Sequence, residues 1–242
     1  MHRREFLGRA GAIGTGAAVA ATTFGTGAPA RAATTPRSAE HPLRVQIVMF
    51  DGVEEQDFAG PYEVFSLAGG LTAGAVRTSY VTADRPRSIV AAFGTTVKVT
   101  NGWAPHDADL IVVPGGGFKR RDSPGIWPEI DKGVLPRALA AAARPGLTIA
   151  SLCTGAILLA AAGLTTGRPC TTHTGAKAEL TARGGLVKNA RVVDDGDLVT
   201  AAGITSGLDL ALHLIKREIG SDVAVKAEEV LEYQARGTVW TS

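Results

Sequence analysis

The sequence predicts an α/β domain built on a mostly parallel sheet with helices on both faces. Three observations predict it. Strand-like runs alternate with segments of helical spacing along nearly the whole chain, the βαβ rhythm. Several strand-like runs, such as "RVQIVMF" and "ADLIVVP", are apolar throughout, as strands buried on both faces are. Three chemically suggestive segments follow strand-like runs: the loop after Phe50, the loop after Val113, and Cys153. In such sheets ligands bind at the carboxyl ends of strands.

The elements follow in order. Residues 44–50 are the first strand. "AGPYEVFSLAG" (59–69) has helical spacing, with Pro61 near its start, where proline is tolerated. "VRTSYVTA" (76–83) is β-branched and aromatic, hence a strand. Residues 88–103 read as a two-stranded excursion around Gly94, and 108–117 as a strand running into "PGGG". Residues 126–146 are one helix, or two pieces broken near Gly133 and Pro136. "LTIASL" (147–152) is a strand, followed by a helix that ends at Gly163, a normal C-terminal glycine. Residues 168–173 read as a strand and 175–185 as a helix. Residues 191–203 form a hairpin turning at Asp195-Gly196, and 206–220 and 222–235 close the chain as helices.

The first 32 residues are expected to stand apart from this domain. They combine a basic start, a weakly apolar Ala/Gly-rich middle and Ala30-Arg31-Ala32, an A-x-A cleavage pattern. Arg3-Arg4 followed by Glu5-Phe6-Leu7 resembles a twin-arginine export signal, which predicts a protein exported, periplasmic or secreted, after folding. The middle is too weakly apolar for a stable membrane anchor. Residues 33–42 read as a flexible lead-in, and 43–242 as one domain. The leader holds four of the 25 basic residues and one of the 23 acidic ones, so the mature chain is close to neutral. No basic face is left to suggest nucleic acid. The two cysteines, Cys153 and Cys170, are too few for a disulfide framework or a cysteine-rich metal site. A bridge between them is disfavoured, because Cys153 is assigned to a turn and Cys170 to a strand.

Cys153 is the strongest candidate for chemistry. The pattern strand-x-C-x-G-helix is the thiol form of a nucleophile elbow, and the helix N-terminus predicts a depressed thiol pKa. Core packing is the competing reading. Gly116 and Gly117 in "PGGG", with the Thr154 N–H, could supply oxyanion or substrate-orienting donors. Asp51, Glu54, Glu55 and Asp57 lie between a strand and a helix, and one of them could exchange protons with Cys153. Glu63, a turn into the helix, competes with them. His173 is a possible partner for a cysteine nucleophile. His213 reads as packing or surface, and His106 as a loop residue.

The segments "IVMFDGVEEQDFAGPYEVF", "DLIVVPGGG", "IASLCTGAILLAAAGL", "CTTHTGAKAEL" and "VVDDGDLVTAAGITSGLDLALHLI" occur in order from about Leu43 to Glu232. Together they resemble the DJ-1/PfpI superfamily. The resemblance implies a flavodoxin-like sandwich, related to class I glutamine amidotransferases, and commonly a homodimer. D-x-x-G-P-Y-E-V-F with S-x-C-T-G-A is most similar to the isonitrile hydratase branch, whose enzymes add water to an isonitrile to give an N-substituted formamide. That resemblance implies Cys153 as nucleophile, Asp57 as its acidic partner and Thr154 as assistant, with a small-molecule substrate and no cofactor or metal. The peptidase-like branch carries histidine where this chain has Thr154. His173 resembles a histidine near the cysteine of DJ-1-like members. The chain also resembles the sensor domain of AraC-type regulators. The sequence ending at Ser242 leaves no room here for their DNA-binding part. Other enzyme activities on the same site (glyoxalase-like or amide-hydrolysing) and a ligand- or redox-sensing role are the alternatives.

Overall fold

The computed structural model describes residues 36–242; the expected export signal, residues 1–32, and the start of the lead-in lie outside the described residues. The elements are β1 (Leu43–Val48), α1 (Glu55–Leu71), β2 (Val76–Thr82), β3 (Arg87–Val90), β4 (Thr96–Val99), β5 (Asn101–Gly102), β6 (Leu110–Val113), α2 (Ile126–Lys132), α3 (Val134–Ala142), β7 (Thr148–Ser151), α4 (Gly155–Ala161), β8 (Pro169–Cys170), α5 (Lys177–Ala182), β9 (Leu186–Val187), β10 (Val192–Asp195), β11 (Leu198–Ala201), α6 (Ser206–Glu218), α7 (Ser221–Leu231) and β12 (Val239–Thr241).

Eight strands form one sheet in the order β12-β10-β11-β7-β6-β1-β2-β5. β5, β2, β1, β6, β7 and β11 run parallel; β10 pairs antiparallel with β11, and β12 runs alongside β10. The middle five, β2-β1-β6-β7-β11, have the flavodoxin-like order, which reverses direction between β1 and β6. Helices α1, α6 and α7 pack together on one face, and α2, α3, α4 and α5 on the other. β6 is buried at every residue, as its unbroken Leu-Ile-Val-Val run requires between two helical layers. α1 turns Phe58, Val64, Phe65 and Ala68 into the core. Burying a side chain of Phe or Val size stabilises by about 1.5–3 kcal/mol.

Most expected elements are present, and the differences have physical causes. The helix expected from residue 59 starts at Glu55, so Asp57 lies in its first turn rather than in a loop. Pro61 therefore sits inside the helix, buried, where its ring lies against α6 at Gly207. The 126–146 segment is two helices, broken at Gly133, whose left-handed φ of 70° ends α2. Pro136 is accommodated in the first turn of α3. The strand expected over 168–173 is only β8, which pairs with β9 outside the central sheet. The place beside β7 is taken by β11 instead. β12 has no counterpart in the sequence reading, since three residues at a chain end carry little periodicity.

One buried ionic cluster fastens the far end of the sheet. Arg217 donates to both oxygens of Asp194 (3.0 Å each), to Gly196 O and to Thr148 Oγ1, while His213 Nε2 lies 2.7 Å from Asp194 Oδ2. Burial works to raise the Asp194 pKa, but the His213 hydrogen bond and the Arg217 charge outweigh it and hold the carboxyl below its usual range. Asp194→Ala is expected to destabilise the fold by about 3 kcal/mol, because Arg217 loses two of its charge-assisted hydrogen bonds and keeps only Glu218 (2.8 Å) as a carboxylate partner. Urea denaturation checks this. A depressed carboxylate stabilises above its unfolded pKa of about 3.9 and loses that contribution as pH falls through the folded value. The gap between wild type and variant should therefore close below pH ~4.

Candidate active site

Cys153 follows β7 at the carboxyl end of the parallel strands, one strand from the β1/β6 switch point. Its φ is +51°, a left-handed conformation that costs a non-glycine residue about 1–3 kcal/mol. The backbone around it fixes that conformation. Cys153 N–H donates to Ala202 O (2.8 Å), and Cys153 O accepts from Thr172 Oγ1 (2.6 Å) and His173 N–H (3.3 Å). The turn thus presents the thiol over the sheet, as the elbow pattern predicts. Both cysteines are free.

Asp57 is the acid that reaches the thiol. It is fully buried in the first turn of α1, and its Oδ2 accepts from Gly115 N–H at 2.9 Å. Its Oδ1 has no hydrogen-bond partner among the described residues, and the carboxyl and the Cys153 thiol act on each other electrostatically. Burial raises the Asp57 pKa to about 7, opposed by the Gly115 N–H and helped by the Glu54 charge.

The expected depression of the Cys153 pKa does not occur. Burial, followed by the charge of Asp57, pushes the thiol up to about 12. Backbone hydrogen bonds from Ile204 and Thr154 to the sulfur pull the other way and do not win. The helix that follows is only seven residues long. At neutral pH the proton of the pair therefore resides on sulfur, and Asp57 is the group that titrates near 7.

The glycine loop after β6 holds this pair in place. Gly115 N–H serves Asp57, Gly115 O accepts from Glu54 N–H (2.9 Å), and Gly116 N–H donates to Thr154 Oγ1 (3.0 Å). Gly116 N–H is thus engaged within the chain, while Gly117 lines the cleft with no hydrogen bond of its N–H among the described residues. Because Thr154 Oγ1 accepts from Gly116, its own O–H is left to donate elsewhere.

The cleft above Cys153 has a volume of about 820 Å³. Thr154, Gly117, His173 and Ile204 line it close to the thiol. The β3–β4 hairpin forms one wall. Asp51 pins it by pairing with Arg87 (2.8 Å) and accepting from Val90 N–H, and Glu55 accepts from Phe93 N–H (2.9 Å). Those two acids are structural. Glu54 lines the cleft, its pKa raised by partial burial and then by Glu55.

His173 and Glu63 stand differently from what the sequence suggested. The His173 ring lines the cleft, but Nδ1 accepts from Gly175 N–H at 3.0 Å, and among the described residues the ring makes no hydrogen bond to the thiol. Glu63 is exposed on the outer side of α1 and does not reach the cleft. His213 belongs to the Asp194 cluster. Ile204, with φ +34°, is the contributor sequence reasoning missed; the only signal was the glycine before it in "AAGITSG".

Comparison with known proteins places the fold in a family. The model of the DJ-1/PfpI family matches residues 43–217. The isonitrile hydratase of Pseudomonas putida is 30% identical over 192 residues, covering 79% of this chain and 78% of that protein. The crystal structure of a ThiJ/PfpI family protein from Pseudomonas syringae superposes with a TM-score of 0.71 at 24% identity, covering 81% of this chain and 76% of that one. That of an AraC family transcriptional regulator from Pseudomonas putida has a TM-score of 0.65 at 26% identity, covering 78% of this chain and all of that one.

Proposed function

The chain belongs to the DJ-1/PfpI family, and on that premise we propose that it is a cofactor-free hydratase that adds water to the carbon of an isonitrile. The observation that carries the reading is the buried Asp57 carboxyl interacting with the thiol of Cys153, with the His173 ring engaged elsewhere. This is a one-proton relay suited to a reaction in which a proton must leave sulfur and arrive at carbon.

The steps balance. The Cys153 sulfur bonds to the isonitrile carbon as Asp57 takes the thiol proton, and Asp57 returns that proton to the same carbon, giving a thioimidate. Water, held by the Thr154 hydroxyl, then attacks this carbon. Asp57 takes a proton from the water and passes it to nitrogen. The C–S bond breaks, sulfur recovers a proton, and the N-substituted formamide leaves. The backbone N–H of Gly117 would orient the reacting group, while that of Thr154 is directed at the sulfur, and each step uses only groups of the chain and water.

A product screen of purified mature protein against isonitriles, dicarbonyls and peptide amides tests the reading. Formamide from an isonitrile is the expected result. Product from dicarbonyls or amides alone, or binding without turnover, would overturn it.

We further propose that the protein acts as an exported homodimer. The basis for export is the leader: Arg3-Arg4, the apolar run and Ala30-Arg31-Ala32. Residues 1–40 fused to a reporter should carry it out of the cytoplasm, and replacing Arg3-Arg4 by Lys-Lys should stop it. Fractionation checks this, and unchanged export of the Lys-Lys fusion would rule out the twin-arginine route.

A further inference from the structure

The rim of the cleft carries features the relay does not use. Lys119 and Arg120 line the cleft that opens on Cys153, and both side chains are exposed. Neither has a carboxylate within salt-bridge distance among the described residues. Their neighbour Arg121 is otherwise occupied, lying 3.8 Å over the Trp127 ring. Of the acids in the same cleft, Asp51 is neutralised by Arg87, and Glu54 is half-buried at the start of α1.

The loop that holds these cations is fixed. Trp127 Nε1–H donates to Phe118 O (2.7 Å), and Ile126 N–H donates to Gly116 O (3.0 Å). A side chain at Gly125 would lie 2.6 Å from the Gly117 Cα, so the two strands of the loop are in backbone contact. Lys119 and Arg120 therefore have defined roots beside the cleft. The hairpin wall is apolar, with Val90 50% and Phe93 81% exposed.

We infer that the cleft selects substrates with an anionic group, a carboxylate or its equivalent, on an apolar body: the reacting carbon reaches Cys153, the body lies against Phe93 and Val90, and the anion meets Lys119 and Arg120. The inference rests on the reading of Cys153 as the reacting group, and it deepens that reading by naming a substrate class. Two exposed cations contribute modestly through solvent. The expected preference is about 3- to 10-fold, and it should fade as salt rises.

The test uses thiol chemistry and so does not depend on hydratase activity. Two N-alkyl maleimides of equal length, one ending in a carboxylate and the other in its methyl ester, are reacted with the mature protein. Modification of Cys153 is followed by peptide mass mapping, and each rate is divided by that of a free thiol. At low salt the carboxylate reagent should react about 3- to 10-fold faster than the ester. The ratio should fall to about one in a Lys119→Gln/Arg120→Gln variant and in wild type at ~0.5 M salt. Phe93→Ser should slow both reagents by the same factor. A wild-type ratio of one, or a ratio unchanged in the double variant, overturns the anion assignment. Unchanged rates in Phe93→Ser overturn the apolar one. A preference that holds while no isonitrile is turned over would sink the hydratase reading alone. Isonitrile turnover with a maleimide ratio of one would sink this inference alone.

Discussion

Cys153→Ala is expected to abolish isonitrile turnover, and Asp57→Asn to lower it by a factor on the order of 10² to 10⁴, the usual range for general acid–base catalysis. The asparagine keeps the shape of the side chain and a carbonyl oxygen for the Gly115 N–H, which Asp57 Oδ2 now holds at 2.9 Å. It cannot take the thiol proton. The fold should remain, because Asn relieves the burial that pushes the Asp57 pKa to about 7. Glu63→Gln, on the exposed side of α1, should turn over at the wild-type rate. Steady-state kinetics with formamide detection checks all three. Wild-type turnover by Asp57→Asn with a dead Glu63→Gln would mean the wrong carboxylate has been named.

Gly115→Ala is expected to cost both activity and stability. The added methyl would sit 2.5 Å from the Thr154 nitrogen and overlap the Thr154 hydroxyl. Both belong to the turn that carries Cys153, so neither can move without disturbing it. Overpacking of this kind costs about 1–3 kcal/mol. The activity loss should be larger, about 10²-fold or more, since a 1 Å misplacement of reacting groups is enough for that. Gly115 links three parts of the site: Asp57 through its N–H, Glu54 through its carbonyl, and Thr154 by contact. Chemical denaturation and turnover of the same preparation separate the two effects. Wild-type values for both would show that the close contact is not needed.

The parts of this site legible in the sequence are those fixed by local chemistry. Cys153-Thr154-Gly155 between a strand-like and a helix-like run marks the turn by itself. Gly155 is required there because a side chain would overlap the Val113 carbonyl. "PGGG" is readable for the same reason: at Gly116, with φ +150°, a side chain would run into the Gly52 carbonyl. Asp57 could be pointed to only by resemblance, since it and the three acids before it look alike locally. What separates them is tertiary: Asp51 and Glu55 turn to the hairpin, and Asp57 turns inward. The thiol pKa failed as an expectation because the helix end was weighed without burial and without the facing carboxyl. β8 leaves the central sheet for a comparable reason. The Thr171 N–H that a ladder would use is taken by the Thr200 hydroxyl on β11.

The pH dependence of Cys153 alkylation, compared between wild type and Asp57→Asn, tests most directly whether Asp57 is the base for the thiol. Below pH ~7 Asp57 holds its own proton and cannot accept another, so alkylation should be slow. As pH rises through about 7 the carboxylate forms, and the wild-type rate should climb to a plateau. Asp57→Asn should lack that step and react appreciably only as the thiol itself ionises in strong base. A wild-type break well below pH 7 that persists in Asp57→Asn would mean a thiolate formed without Asp57, and the relay would be wrong.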